Sequence, residues 1–418
     1  MKKKLYLITS DFPYGQGEES FILPELPYLC DKFEVTIIST SLKKQQTTML
    51  NDNIKVIHYE RKATLIQKLW DSVCYFGCKD SYLELWDMLR TGKIRNGLVE
   101  SVLFFEEARR FKRYLKRENI IDTNEPVIIY SYWFTFYCLT LAQMFEKFPN
   151  VKLITRAHRF DLYNEGYRGN RQPFKRQMDR NFDYIVFIAE HGRQYYLEHY
   201  GNKATLDKYR LFRLGVKPTG EAVTGVPGQR ESLLLVSCAN VLPRKRIDLI
   251  VDALAEIRDV KISWVHFGDG VEFDKLKEQC VQKLQPLENI EYELMGHVRS
   301  DTVMKFYENH YVDAFITTTA SEGCPVSVQE AMSYGIPIIG TAVAEIPFMI
   351  RGNGFLLHEN PELEEIVHAI RSIASMNSDE IMDMRTRSFH LWEKEFDVDV
   401  NATNFVNFLD SIGTNPNS

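Results

Sequence analysis

Glu322 and Glu330 lie eight residues apart in the stretch 317–350, TTTASEGCPVSVQEAMSYGIPIIGTAVAEIPFMI. A carboxylate accepts two hydroxyl hydrogen bonds at once, so acids on either side of an anion site suit a ligand with sugars at both ends of a phosphate chain. A nucleotide-sugar has that shape; a solvated loop acid beside a surface helix acid is the plainer reading. Three consecutive cations, Arg244, Lys245 and Arg246, precede a helical pattern. Cations at a helix start oppose its dipole, and they make sense there if a polyanion binds. A solvated charge cluster is the alternative. His158 follows the apolar run 153–155, within RAHRFDLY. Parallel sheets bind ligands at the carboxyl ends of their strands, whereas a bond to Asp161 or backbone would make this ring structural. Arg156 suits either a phosphate or acceptor contact or a structural ion pair.

The elements that must hold these residues follow from pattern. An apolar run at 314–316, a polar turn, a helix over 325–334 and an apolar run at 336–339 make a βαβ unit. Pro325 suits the first helical turn, where its missing N–H has no partner, and Gly335 with Pro337 suits the end. The turn ahead of the helix therefore faces unpaired N–H groups and the positive dipole end, which favour phosphate. Further strands are expected at 5–8, 33–39, 54–59, 127–130, 153–155, 184–188, 233–236 and 264–267. The first leads through a turn holding Gly15 and Gly17 into a helix with Ile22, Leu26, Leu29 and Cys30 on one face. This G-x-G lacks the third glycine of the dinucleotide fingerprint and reads equally as a tight turn. After the three cations, Ile247, Ile250, Val251, Leu254 and Ile257 give a clean helical period.

Residues 65–116 read as helical and carry Trp70, Tyr75, Phe76, Trp86, Phe104 and Phe105 among Lys and Arg. These aromatics are expected to pack on the sheet, or else to form a face for a membrane or a lipid-linked acceptor. Cys74 and Cys78 have no second pair nearby and read as core thiols. Residues 217–230, KPTGEAVTGVPGQR, hold three glycines and two prolines with almost no apolar pattern, which suits an interdomain linker.

The motif E-G-C-P-x4-E-A-M-x2-G-I-P-I-I-G-T resembles the E-x7-E signature of retaining, family 4 type glycosyltransferases of the GT-B fold, in particular a bacterial polysaccharide-assembly group. Glu322 and Glu330 fall on its two acids, with Cys324 and Val326 between them as donor-binding positions. The family's G-R-L-x-P-x-K-G, whose Arg and Lys hold the donor diphosphate, is matched by Lys245. Ala239, Asn240 and Arg246 depart from it, so Arg244 or Arg246 is expected to supply the cation missing at Asn240. Gly268-Asp269-Gly270 resembles the G-x-G of the donor domain, and Met295-Gly296-His297-Val298 the L-G-x-V whose backbone near Val298 meets the base. Ala344-Glu345 stands where Gly-Gly is common, and Phe348 where Glu is. By the same resemblance Gly15 and Gly17 let backbone approach the donor diphosphate and acceptor, and His158 lies beside the donor sugar. Residues 389–409, with Trp392, Phe396, Phe405 and Phe408, look like the helix that crosses back to the first domain.

A chain of 418 residues exceeds one ordinary core, and 44% apolar with 26% charged residues is a globular composition. A net charge of −6 argues against a general nucleic-acid binder. Seven scattered cysteines suit reduced thiols in a cytoplasm. The first apolar run stops at Thr9, too short for a signal peptide, and no run reaches the ~18 apolar residues of a transmembrane helix.

The expectation is an α/β, GT-B protein of two Rossmann-like domains, parallel sheets facing a central cleft. Residues 1–216 form the acceptor side, 217–230 the linker, 231–385 the nucleotide-sugar domain and 386–418 the returning helix. The resemblance implies a metal-independent, retaining hexosyltransferase that uses a nucleoside diphosphate sugar as substrate and no cofactor. Its acceptor would be a growing, lipid-linked glycan of extracellular or capsular polysaccharide, in the cytoplasm at the inner membrane face with peripheral membrane contact. His158 and Glu322 would be catalytic; Gly15, Gly17, Arg244, Lys245, Val298, Cys324, Val326 and Glu330 would bind donor. A nucleotide-sugar epimerase of the same fold and an inactive partner subunit are the alternatives.

Overall fold

The structure, a computed structural model, describes residues 2–15, 17–60, 63–167, 169–221 and 232–412. Residues 222–230 of the expected linker lie outside it. The chain divides into two compact units, residues 1–214 with 402–418, and residues 215–401.

The first unit is built on seven parallel strands: β1 (Lys3–Thr9), β2 (Phe33–Ser39), β3 (Lys55–His58), β4 (Val127–Ser131), β5 (Val151–Ala157), β6 (Tyr184–Phe187) and β7 (Tyr209–Leu211). Their order is 3-2-1-4-5-6-7. Leu5 and Leu7 enter one core with Val35, Ile37 and Ile128; Tyr6 and Ile8 enter the opposite one with Ile38 and Ile129. Burial of both faces is why these strands read as continuous apolar runs rather than as alternation.

Three expectations are corrected. The helix through Ile22 to Cys30 is two pieces, Glu19–Ile22 and Leu26–Lys32, because Pro24 has no N–H for the ladder. The aromatics of 65–116 divide. Tyr75, Phe104 and Phe105 are buried, but Trp70, Phe76 and Trp86 are 63%, 53% and 67% exposed on the helices Leu65–Tyr75 and Lys79–Arg90 and the turn between them. The inward faces of those helices hold Tyr75 and Met88 together with carboxylates, Asp71 and Glu84, paired with arginines. Finally, the segment 389–409 spans parts of two helices, Ser378–Glu395 and Val398–Ile412, parted at Phe396 and Asp397. Asp397 caps the second by accepting from Asp399 N (2.7 Å), while Trp392 and Phe396 join a second-unit core and Phe405 a first-unit core.

The second unit carries β8 (Leu233–Cys238), β9 (Ile262–Phe267), β10 (Ile290–Leu294), β11 (Ala314–Thr317), β12 (Ile338–Thr341) and β13 (Gly354–Leu357), all parallel in the order 10-9-8-11-12-13. The direction of winding reverses between β8 and β11. In an open α/β sheet the loops beyond the carboxyl ends of such neighbours form the ligand crevice. The corresponding neighbours in the first unit are β1 and β4.

Candidate active site

In the second unit, the loop after β8 turns through a short 3-10 segment, Pro243–Lys245, and the helix Ile247–Ala255 then begins. Arg246 joins the two in a left-handed conformation, φ 50°. That geometry favours glycine, which is the residue of the resembled motif. Arg246 donates from Nε to Thr318 O (2.7 Å), and from its terminal nitrogens to Thr319 O, Glu359 O and Asn360 Oδ1. Its guanidinium is spent on carbonyls, so the expectation that Arg246 could replace the cation missing at Asn240 is corrected: it is a clamp between loops. Arg244 donates to Ser321 O (3.1 Å) from an exposed position.

Threonines complete the clamp. Thr318 Oγ1 donates to Arg246 O (2.7 Å), Thr319 Oγ1 to Arg244 O (3.3 Å), and Thr341 Oγ1 to Thr319 O (2.6 Å). The loops after β8, β11 and β12 are thereby fixed to one another. Gly268, φ 133°, lets the loop after β9 approach as well, since a Cβ there would lie 2.0 Å from Ala239 O.

On this platform Lys245 Nζ forms an ion pair with Glu322 Oε1, both side chains nearly buried. Glu322 precedes the helix Val326–Ser333, for which Pro325 is the cap residue and Gly335, φ 66°, the exit. The first amides of a helix have no carbonyl behind them, so this end offers N–H groups and positive potential. Cys324, Val326 and Val298 are half-buried around one apolar core, with Cys324 Sγ accepting from Gln329 Nε2 (3.2 Å). Glu330 lies inside the helix, 6% exposed, and accepts from Ser300 Oγ (2.5 Å). Burial pushes its carboxyl up to about 7 against the opposing pull of that hydroxyl. Ser300 opens the helix two residues beyond Val298, which places the base-contact candidate and the ribose candidate side by side. Sequence reasoning missed Ser300, because its only signal is a contact thirty residues away.

Ala344, at one of the two positions where the resembled family has glycine, is also left-handed, φ 47°.

The first unit treats its candidates differently. Ser10 N, Asp11 N and Phe12 N all donate to the carboxylate of Glu18 at 2.6–3.0 Å, and Trp133 Nε1 donates to it too. The amides at the end of β1 are therefore satisfied by the chain's own anion, a role nothing in the sequence marked. Gly15 is buried, and a Cβ there would lie 1.6 Å from Asp11 Oδ2; Gly17 is exposed, with nothing within 4 Å of a Cβ. Arg156 is fully buried, donates to Glu25 (2.7 Å) and lies 4.4 Å over the Phe405 ring. It is a structural ion pair.

His158 caps the turn Arg159–Leu162 at the end of β5. Asp161 accepts from His158 N (2.7 Å) and Phe134 N (2.6 Å), tying the loops after β5 and β4. The imidazole packs 4.4 Å from the Trp133 ring and 4.9 Å from that of Tyr132. Burial, reinforced by Arg156, depresses its pKa far below the ordinary value, so the ring is neutral at pH 7. Its Nε2 is buried and has no hydrogen-bond partner among the described residues. A buried polar atom in a native site normally finds one.

Residues 226–388 match a family described as glycosyl transferases group 1. The chain is 26% identical over 175 residues to the UDP-N-acetylglucosamine--peptide N-acetylglucosaminyltransferase GtfA subunit of Streptococcus agalactiae, 39% of this chain and 32% of that one. It is 22% identical over 270 residues to WcaL of Escherichia coli (strain K12), named as a colanic acid biosynthesis glycosyltransferase, 62% of this chain and 64% of that one. It thus spans less than two thirds of either relative. Among solved structures it is similar to the lipopolysaccharide outer core galactosyltransferase WaaB (TM-score 0.68, 16% identity, 98% of this chain and 99% of that one). It is also similar to Anabaena HepE in complex with UDP-glucose (TM-score 0.65, 14% identity, 97% and 99%). Those two likenesses establish the fold. The chain thus carries a group 1 glycosyl transferase match over residues 226–388 and shares the GT-B fold of those solved structures.

Proposed function

We propose that this protein is a retaining glycosyltransferase that moves a hexose from a nucleoside diphosphate sugar, UDP being the nucleotide best supported, to a growing lipid-linked glycan. The observation that carries the reading is the gathering of Lys245, Glu322, Glu330 and the start of the helix Val326–Ser333 beyond the β8 and β11 ends of the second unit. UDP is supported by the ligand in the HepE complex and by the donor in the name of GtfA. Extracellular or capsular polysaccharide synthesis is supported by the colanic acid biosynthesis in the name of WcaL, and a setting at the inner membrane face is part of the same proposal. The donor-binding roles of Gly15, Gly17, Val298, Cys324 and Val326 belong to the same proposal.

Transfer breaks the bond from the anomeric carbon to the donor phosphate oxygen and forms one from the acceptor oxygen on the same face. The acceptor proton passes to the departing diphosphate. Preorganised positive charge in a site shielded from water stabilises that leaving group most. Lys245, with Arg244 at the rim and the helix N–H groups, supplies it, so the step needs no divalent cation. Glu322 accepts from hydroxyls of the transferred hexose, Glu330 from the ribose, and the neutral His158 offers Nε2 to a sugar hydroxyl. Incubating the protein with UDP-, GDP- and ADP-hexoses in a thermal-shift panel tests the reading. A ligand at 100 times its dissociation constant stabilises by about 2.7 kcal/mol, and no shift with any of them would refute it.

A further inference from the structure

The helices Leu65–Tyr75 and Lys79–Arg90 carry apolar side chains on both sides: Tyr75 and Met88 are fully buried inward, yet a second apolar set faces out. Asp71 and Glu84, both fully buried, occupy their inner faces. Arg113 grips Asp71 through two bonds, 2.6 and 2.7 Å, with Arg109 adding a third at 3.0 Å. Arg171 holds Glu84 and Asp87, and Ser101 donates to Glu84 (3.1 Å). Outward, at helical spacing, stand Leu65, Leu69, Trp70 and Val73, then Tyr82, Trp86 and Leu89, each about 60% exposed or more. A surface helix normally turns its apolar stripe to the core, and an outward apolar face this large marks an interaction site.

The charges specify what covers it. Every exposed charged side chain between residues 65 and 95 is a cation: Lys68, Lys79, Arg90 and Arg95. The acids there, Asp71, Asp80, Glu84 and Asp87, are all buried or half-buried, in a chain whose net charge is −6. Gln67 on the first helix also lines a cavity of about 720 Å³ whose walls carry Lys116 and Glu60 with Arg110, Arg113 and Arg117, the three arginines being paired with Glu107, Asp71 and Glu118. Leucines with tryptophans, rimmed by Lys and Arg, lie stably in the headgroup region of an anionic bilayer. Among the described residues no helix is long and apolar enough to cross one.

We infer that the outer face of these two helices is a membrane-docking surface, seated on anionic phospholipid with Trp70 and Trp86 at the level of the headgroups. It goes beyond the donor site and deepens the proposed setting of the acceptor. Flotation of the full chain with vesicles free of any glycan-bearing lipid tests it, comparing phosphatidylcholine alone with phosphatidylcholine and phosphatidylglycerol. The chain should float with the anionic vesicles, with a blue shift of tryptophan emission, and stay behind with the neutral ones. Trp70→Ser with Trp86→Ser, and separately Lys68→Glu with Lys79→Glu, should each weaken partition by on the order of 10-fold or more. Both pairs are exposed, so melting temperature and nucleotide binding should stay at wild-type values. That second readout separates failure of this inference from failure of the transferase reading. Absence of flotation, equal flotation of the variants, or binding only when a lipid-linked glycan is added would overturn it. So would a dimer in sedimentation that Trp70→Ser with Trp86→Ser dissociates while no vesicle is bound.

Discussion

Lys245 and Glu322 neutralise each other across the gap between the loop after β8 and the loop after β11. Each is thereby held in one rotamer before any ligand arrives, so less side-chain entropy remains to be lost on binding. A diphosphate that takes the ammonium leaves the carboxylate free for hydroxyls of the sugar it carries. The pair is a pre-set division between leaving group and transferred group.

Removing the ammonium should therefore damage turnover most. Lys245→Ala is expected to lower kcat by at least ~10²-fold, as for loss of one donor to developing negative charge. Asn240 is exposed and its carbonyl serves Leu242 N, so Asn240→Ala should do far less. Steady-state rates of the two variants check this, and a worse Asn240→Ala would break the assignment of the phosphate site.

Arg246 should behave as structure rather than chemistry. Arg246→Ala removes bonds to several carbonyls at a left-handed position and should cost about 2 kcal/mol or more of stability. Arg246→Gly loses the same bonds but relieves the backbone, so it should retain about 1 kcal/mol relative to the alanine variant. Denaturant melts rank them; an alanine variant as stable as the glycine one would contradict the clamp.

Much of this architecture was legible in the chain. Strands buried on both faces leave unbroken apolar runs, and the β11 to β12 unit announced its helix through Pro325 and Gly335. The illegible parts are those whose partners are distant in sequence. The role of Arg246 depends on carbonyls more than seventy residues away, and the pairing of Ser300 with Glu330 on a contact between two helices. Glu18 caps the first loop by tertiary placement alone. The outward tryptophans misled because an apolar stripe ordinarily means core; only the arginines at 109, 113 and 171 reveal that the opposite face is inside. The broken helix near Pro24 came from counting periodicity across a proline.

The buried Glu330 makes stability depend on pH with a definite sign. Its folded carboxyl titrates near 7, above the unfolded value of 4.5. Between those values the folded state holds the extra proton, so the contribution is complete below about 4.5 and is lost as pH rises through about 7. Unfolding free energy should fall across that window, and Glu330→Gln should flatten the fall. A slope unchanged in the variant would show that this carboxyl is not the source.

The same group should report on the ligand. Two ribose hydroxyls donating to Glu330 favour its ionised form, so nucleotide binding near pH 7 should release protons. Calorimetric enthalpies in buffers of different ionisation heat measure this. Proton uptake, or none, would argue that the ribose does not sit there.

The most direct test of the division of labour is calorimetry of UDP binding to Glu330→Gln and Glu322→Gln, beside a transfer assay. An amide of the same shape removes charge without altering packing. Glu330→Gln should weaken nucleotide binding by roughly 1–3 kcal/mol, while Glu322→Gln should bind UDP at least as well as wild type, its Lys245 released, yet transfer poorly. Equal loss of UDP binding in the two variants would contradict the account.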